Sequence, residues 1–277
     1  MNIIRTLSGL AVRIPLLIWS FIVIFPLLWM FIGAFKTNAE IFASPWALPE
    51  KFNFQNFLTA WTDYNIGTAF VNSMFVTALG SLLCLVFSIP TAYALERMRF
   101  KGNEIILNTY LSSMMIPSVL GWIPLFFLLL KLNLLDNLWA LSLIYAVSHI
   151  PFTIFILISF MGNVPKELEE AATIDGMGPY GILFKIVTPL VKSGIITATI
   201  LNAISFWNEY FLALILLQQE SKNTLGVAMD LLKTNAKYES AWGVLFAGLC
   251  IAVIPVIIFY SVFQRHIVKG MTEGAIK

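Results

Sequence analysis

Six long apolar runs, separated by short polar stretches, restrict this chain to one kind of fold. They cover residues 14–35, 70–95, 105–130, 138–162, 193–217 and 242–263, each near the roughly 20 residues that an α-helix needs to cross about 30 Å of hydrocarbon. Lipid offers the backbone no hydrogen-bond partners, so a spanning run satisfies its own N–H and C=O groups as a helix. Only 12% of residues are charged and 59% are hydrophobic, where soluble domains carry roughly a quarter charged. The chain reads as a single-domain, all-α integral membrane protein over residues 1–277, with six transmembrane helices. The first run follows Arg5 and Arg13. It is too long for the apolar core of a signal peptide and ends without a small-residue cleavage pattern, so it is expected to be a retained anchor.

Basic residues are retained on the cytoplasmic side of a membrane, and their distribution orients the bundle. One set of loops and ends holds Arg5, Arg13, Arg97, Arg99, Lys101, Lys166, Lys185, Lys192, Arg265, Lys269 and Lys277, eleven in all, against Lys36, Lys51, Lys131, Lys222, Lys233 and Lys237, six, in the other. Both termini are therefore expected on the cytoplasmic side of a multi-pass protein. Two segments on the outer side are long, 36–69 and 218–241. The first carries Trp46, Phe52, Phe54, Phe57 and Trp61, which suit either the membrane interface or a partner surface. The second, with Leu225, Val227, Leu231 and Leu232 among polar residues, is expected to form a short helix. Pro26, Pro90, Pro117, Pro124, Pro151 and Pro255 lie in or near the runs and predict kinks.

A formal charge of +2, with no Lys/Arg stripe, argues against nucleic-acid binding. Cys84 and Cys250 fall within apolar runs and read as buried free thiols.

The loop 164–190 is the most informative stretch. In Val164-Pro-Lys-Glu-Leu-Glu-Glu-Ala-Ala-Thr-Ile-Asp-Gly176, Pro165 suits the first position of a helix and Glu167 its first turn, while Gly176, Gly178 and Pro179 stop it. A cytoplasmic helix of roughly three turns is expected, too polar to span. Ala171 and Ala172 allow close approach of another surface, Leu168 offers an apolar knob, and Glu170 and Asp175 offer charge to a basic partner. A solvated connecting helix would look the same.

Glu170-Ala171-Ala172, three residues, Gly176, nine more, then Ile186-x-x-Pro189 resembles the EAA loop of ABC importer permeases. Thr188 stands where that family usually has Leu, at the end of the motif away from the helix. Asn72-Ser73, Ala92-Tyr93-Ala94, Arg97-Met-Arg-Phe-Lys-Gly102, Leu134-Leu135-Asp136, Trp207-Asn208-Glu209 and Gln264-Arg265 through Gly270, Thr272, Gly274 and Ala275 are similar to the carbohydrate-uptake branch, in the manner of its maltose-type second, six-helix permease. The resemblance covers about the whole chain beyond residue 15. It implies a bacterial or archaeal plasma-membrane protein whose helix at Leu168, Glu170, Ala171, Ala172, Asp175 and Gly176 is a coupling helix seated in a cytoplasmic ATPase. It also implies a related second permease, two ATPase subunits and an extracytoplasmic solute-binding protein, with a sugar or oligosaccharide as solute. The chain has no G-x-x-x-x-G-K-[ST] loop, so ATP and magnesium belong to the partner. This chain itself carries no expected catalytic residue or cofactor.

Polar groups inside a bilayer are functional candidates because leaving them unpaired is costly. Asn202, Ser205 and Glu209 share a helical face, with Asn208 beside them, and form a candidate solute path. Glu209 falls roughly 24 Å along its run, near the outer interface, where a structural bond or contact with water serves equally. His149, beside Pro151, is either a packing histidine or a proton relay. With Glu209 it would serve the alternative reading, a proton-coupled secondary transporter acting alone, against which the scarcity of buried charge argues. His149, His266 and the cysteines lack metal-ligand spacing, and the paired acids or Ser-His arrangement of an intramembrane enzyme are missing from the runs.

Overall fold

The computed structural model describes the backbone of residues 2–275 and the side chains of residues 13–264. The side chains of Arg5, Arg265, His266, Lys269 and Thr272, and residue Lys277, lie outside the described part. Among the described residues every regular element is helical: α1 (Asn2–Gly33), α2 (Asn38–Ala43), α3 (Gln55–Thr62), α4 (Ile66–Arg97), α5 (Asn103–Ser113), α6 (Trp122–Lys131), α7 (Leu138–Gly162), α8 (Glu167–Ile174), α9 (Pro179–Ile182), α10 (Thr188–Leu190), α11 (Lys192–Trp207), α12 (Phe211–Leu216), α13 (Leu225–Glu239) and α14 (Trp242–Ala275). Four stretches are long and apolar enough to cross a membrane: Arg13–Gly33, Ile66–Arg97, Leu138–Gly162 and Trp242–Gln264. Counting each of two bent pairs as one span raises the number to 6.

The runs 105–130 and 193–217 are not single helices: the first breaks where its prolines predict a kink, the second where none does. α5 stops at Ser113 and resumes as a 3₁₀ turn, Ser118–Gly121, leading into α6, at 96° to α5. Pro117 adopts φ −59°, ψ 119°; its ring disfavours the α conformation at the preceding residue, so the helix ends before it. The second run breaks at residues 208–210, between α11 and α12, where no Pro or Gly occurs. A further bend of 78° separates Pro179–Leu190 from α11, at Val191 (φ −93°, ψ 17°).

The chain divides into two compact units, one of residues 1–67 and 228–255 and the other of 68–227 and 256–277. In the first, the 36–65 segment is built on polar anchors. Asn56 Nδ2 donates to Ala34 O (2.8 Å) and Lys36 O (2.9 Å), and the buried Lys36 ammonium donates to Ser44 O (2.7 Å). Thr37 and Glu40 form a capping box that starts α2; the Thr37 amide, donating to the Glu40 carboxylate, holds that carboxyl below its usual range. Phe52, Phe54 and Phe57 surround Phe35, whereas Trp46, Phe52, Phe54 and Trp61 keep much of their surface exposed. Tyr64 donates its hydroxyl to Glu239. That bond, with partial burial, pushes the Tyr64 pKa up to about 12.

The second unit has two apolar clusters. One gathers Tyr93, Leu157, Phe160, Ala172 and Val187 from α4, α7, α8 and the turn after α9. The other gathers Val76, Tyr145, Phe206, Leu212 and Leu216 from α4, α7, α11 and α12. α7 starts where Asn137 accepts from the Trp139 and Ala140 amides (2.9 and 3.2 Å), a side-chain N-cap. At the α7–α11 crossing Gly194 lets the backbone approach Phe160 so closely that an added Cβ would lie 2.5 Å from its ring. Small residues at such crossings are how membrane helices pack.

Candidate functional site

α8 is shorter than the three turns expected: its 8 residues span about 12 Å. Pro165 precedes it rather than occupying its first position, because Lys166 takes the N-cap place, with φ −68° and ψ −25°. Glu167, Glu169 and Glu170 in the first turn complement the helix dipole. At the far end Gly176 takes φ +82°, and the Gly176 and Met177 amides return to Thr173 O and Ala172 O (3.0 and 2.9 Å). This is a left-handed C-terminal stop that glycine adopts without strain.

The helix has two distinct faces. Ala172 is buried in the apolar cluster with Tyr93 and Leu157, while Leu168, Glu170, Ala171, Asp175 and Gly176 are exposed. Leu168 keeps 45% of its surface and Ile174 86%. Five of the six residues named for this site thus lie outward and the sixth faces in.

The inward face is fastened by residues the sequence reading did not single out for this role. Glu169 Oε1 lies 2.8 Å from Arg97 Nε, with the two side chains 12% and 6% exposed. Neither atom has an aligned hydrogen bond, so the contact is coulombic. Tyr93 donates its hydroxyl to Glu169 Oε2 (3.1 Å). Arg97 Nη2 also donates to Met161 O and Val164 O, both at 2.6 Å, which satisfies carbonyls at the end of α7. One guanidinium thus joins α4, α7 and α8. Two signals in the sequence point to it: Tyr93 and Arg97 stand at i, i+4, and Glu169 stands three before the inward Ala172.

The candidate solute path does not form one row. Asn202 is fully buried and donates to Thr153 Oγ1 (2.9 Å) and Cys84 Sγ (3.4 Å). Glu209 accepts from the Leu212 amide at Oε1 (2.7 Å), and from the Ala213 amide (3.1 Å) and the Tyr145 hydroxyl at Oε2. Its carboxylate thereby starts α12 and stabilises the break after α11. Ser205 and Asn208 are exposed; Ser205 Oγ lies 2.9 Å from His149 Nε2, and Asn208 bonds Ile204 O (2.8 Å). His149 lies against the Ser148 and Ser205 hydroxyls, whereas Glu209 holds the start of α12. Cys84 and Cys250 are buried free thiols, and no group of metal-ligating side chains occurs among the described residues.

Other motif residues tie chain segments together. Asn72 Nδ2 donates to Ser221 O and Asn223 O (3.1 and 3.0 Å), and buried Ser73 accepts the Leu225 amide (2.8 Å). Asp136 accepts the Gln218 amide and the Gln219 amide, the latter at 2.9 Å.

A family model described as "Binding-protein-dependent transport system inner membrane component" matches residues 85–273. The chain is 36% identical to the diacetylchitobiose uptake system permease protein NgcG of Streptomyces coelicolor, over 95% of this chain and 87% of that protein. It is 34% identical to the sulfoquinovosyl glycerol transport system permease protein SmoH of Agrobacterium fabrum, over 92% and 89%. Among solved structures it is similar to a chain of a bacterial ABC transporter involved in the import of the acidic polysaccharide alginate. That match has TM-score 0.82 and 27% identity, over 94% of this chain and 96% of that one.

Proposed function

This chain belongs to the family of binding-protein-dependent transport system inner membrane components, and we propose that it forms one half of the channel of a carbohydrate importer. It is a permease subunit of an ABC importer, a multi-pass membrane protein and not an enzyme. The solute proposed is a sugar or oligosaccharide, on the strength of relatives named for uptake of diacetylchitobiose and sulfoquinovosyl glycerol. The partners proposed are a related second permease, two cytoplasmic ATPase subunits that hold ATP and magnesium, and an extracytoplasmic solute-binding protein. The basic-residue distribution supports both termini on the cytoplasmic side. That orientation puts α8 and the 164–190 loop on the same side.

The two-faced α8 carries the reading. A helix held inward by Ala172 and Glu169 and bare at Leu168, Glu170, Ala171, Asp175 and Gly176 suits a coupling helix. Its outer face would seat in the ATPase and its inner face would pass displacement to the spans, switching the bundle between two states. Within the solute path, exposed Ser205 and Asn208 are the members open to contact; Asn202 and Glu209 serve the fold.

The test is purification of the tagged chain from its native membrane in mild detergent, with partners identified and ATP hydrolysis measured. Recovery of a P-loop ATPase and a second permease, with the ATPase lost on Glu170→Lys, is the expected result. A chain recovered alone, or ATPase retention unaffected by Glu170→Lys, would overturn the coupling assignment.

A further inference from the structure

α8 is joined covalently to α7 through only residues 163–166 and continues toward α11 through α9 and α10. α4 lies far away in sequence: the bond from Tyr93 to Glu169 spans 76 positions, and those from Arg97 to Met161 and Val164 span 64 and 67. Without these bonds a displacement of α8 could be absorbed as rotation about the short link to α7, leaving α4 behind.

We propose that Arg97 is a positioning residue that ties α4 to α8, so that α8, the end of α4 and the end of α7 move as one body. The proposal rests on the coupling-helix reading above. Each carboxylate oxygen of Glu169 meets a different α4 side chain, Oε1 facing Arg97 and Oε2 accepting from Tyr93. That two-point hold resists rotation of α8 about its own axis. Arg97 at the same time donates to two carbonyls at the end of α7. The planar guanidinium presents its donors in fixed, divergent directions, which a lysine ammonium does not. The site is nearly closed to solvent, so the pair is little screened by salt, and removing one partner leaves a buried, uncompensated charge.

The experiment is hydrogen–deuterium exchange with mass spectrometry on the complex purified through the tagged chain, without nucleotide and with MgATP plus vanadate. In the native chain, peptides covering 91–101 and 165–177 are expected to change protection together. In Glu169→Gln and Arg97→Lys complexes that retain the ATPase, the change at 165–177 should persist and the change at 91–101 should be lost. A purely structural role would alter protection equally with and without nucleotide. Joint response of both peptides in the variants would overturn the proposal, as would loss of the ATPase from both variants, because the pair would then shape the docking surface instead of transmitting its movement. A native complex responding at 165–177 alone would overturn this inference and leave the coupling reading standing. No response at 165–177 in the native complex would remove the coupling reading, and the inference with it.

Discussion

Replacing Glu209 separates a structural role from a solute-binding one, because its carboxylate meets three donors. Those donors are the Leu212 amide, the Ala213 amide and the Tyr145 hydroxyl. An ionised carboxylate is acceptor-only and suits all three. In Glu209→Ala all three lose their partner. Hydrogen bonds within membrane proteins average roughly 0.6 kcal/mol, with a maximum near 1.7, and an unsatisfied buried donor costs about 1–3 kcal/mol. Glu209 is only partly buried, so water relieves some of the loss, and a destabilisation of about 3 kcal/mol is expected. Glu209→Gln is milder. With its oxygen at the Oε1 position the amide group faces the Ala213 N–H, and with its oxygen at Oε2 it faces the Leu212 N–H. Either way one backbone donor is opposed by another donor, for about 1–2 kcal/mol. Tyr145→Phe combined with Glu209→Gln should cost less than the sum of the two, since they share one bond. Equilibrium unfolding in mixed micelles, followed by circular dichroism, measures these differences. An unchanged midpoint for Glu209→Ala, with transport altered, would refute the capping argument and return Glu209 to the solute path.

Three further outcomes follow from local geometry. Gly194→Ala places a methyl 2.5 Å from the Phe160 ring and should destabilise by about 1–3 kcal/mol as overpacking, with Phe160→Leu restoring part of it; an unaltered thermal midpoint for Gly194→Ala would count against the close crossing. Nothing lies within 4 Å of a Cβ added at Gly176, where φ is +82°, so substitution there costs backbone strain alone, roughly 1–2 kcal/mol. Thermal midpoints should therefore fall in the order Asn, Ala, Val, and an unchanged midpoint for Val would contradict the left-handed stop. The Tyr64 hydroxyl, bonded to Glu239, has its pKa raised to about 12. Its stabilising effect is thus complete below the ordinary tyrosine value near 10 and is lost as pH rises through the folded value. An ultraviolet difference titration of the native chain against Tyr64→Phe should show the missing tyrosine ionising at that higher pH, and ionisation near 10 would refute the bond.

What could be read along the chain was whatever depends on neighbours in sequence. The apolar stretch of α7 is bounded by the Asn137 cap and Gly162, and both its length and its start are local features. The amphipathic α8, with its acidic first turn and its Gly176 stop, is local too, although neighbouring residues alone did not say that Pro165 would fall outside it. Pro117 marks a break, but the 96° angle at that break depends on what packs around it.

The sequence by itself determined an all-helical membrane protein and the short polar helix α8, because spanning is set by the hydropathy of successive residues and a helix stop by a local glycine. Which α8 residues face outward waited on the packing that buries Ala172. Tertiary structure alone decided that Asn202 is sealed against Thr153 and Cys84 while Ser205, on the same helical face, stays open. It also decided that Glu209 caps a break where no Pro or Gly forecasts one, since the cap also takes the hydroxyl of Tyr145, 64 positions away. Glu169 looked like one acid among several until Arg97 and Tyr93 came within reach of it. The physical reason is common to all three: a buried polar group takes its role from the partner that satisfies it, and here each partner sits on another helix, brought near only when the bundle packs.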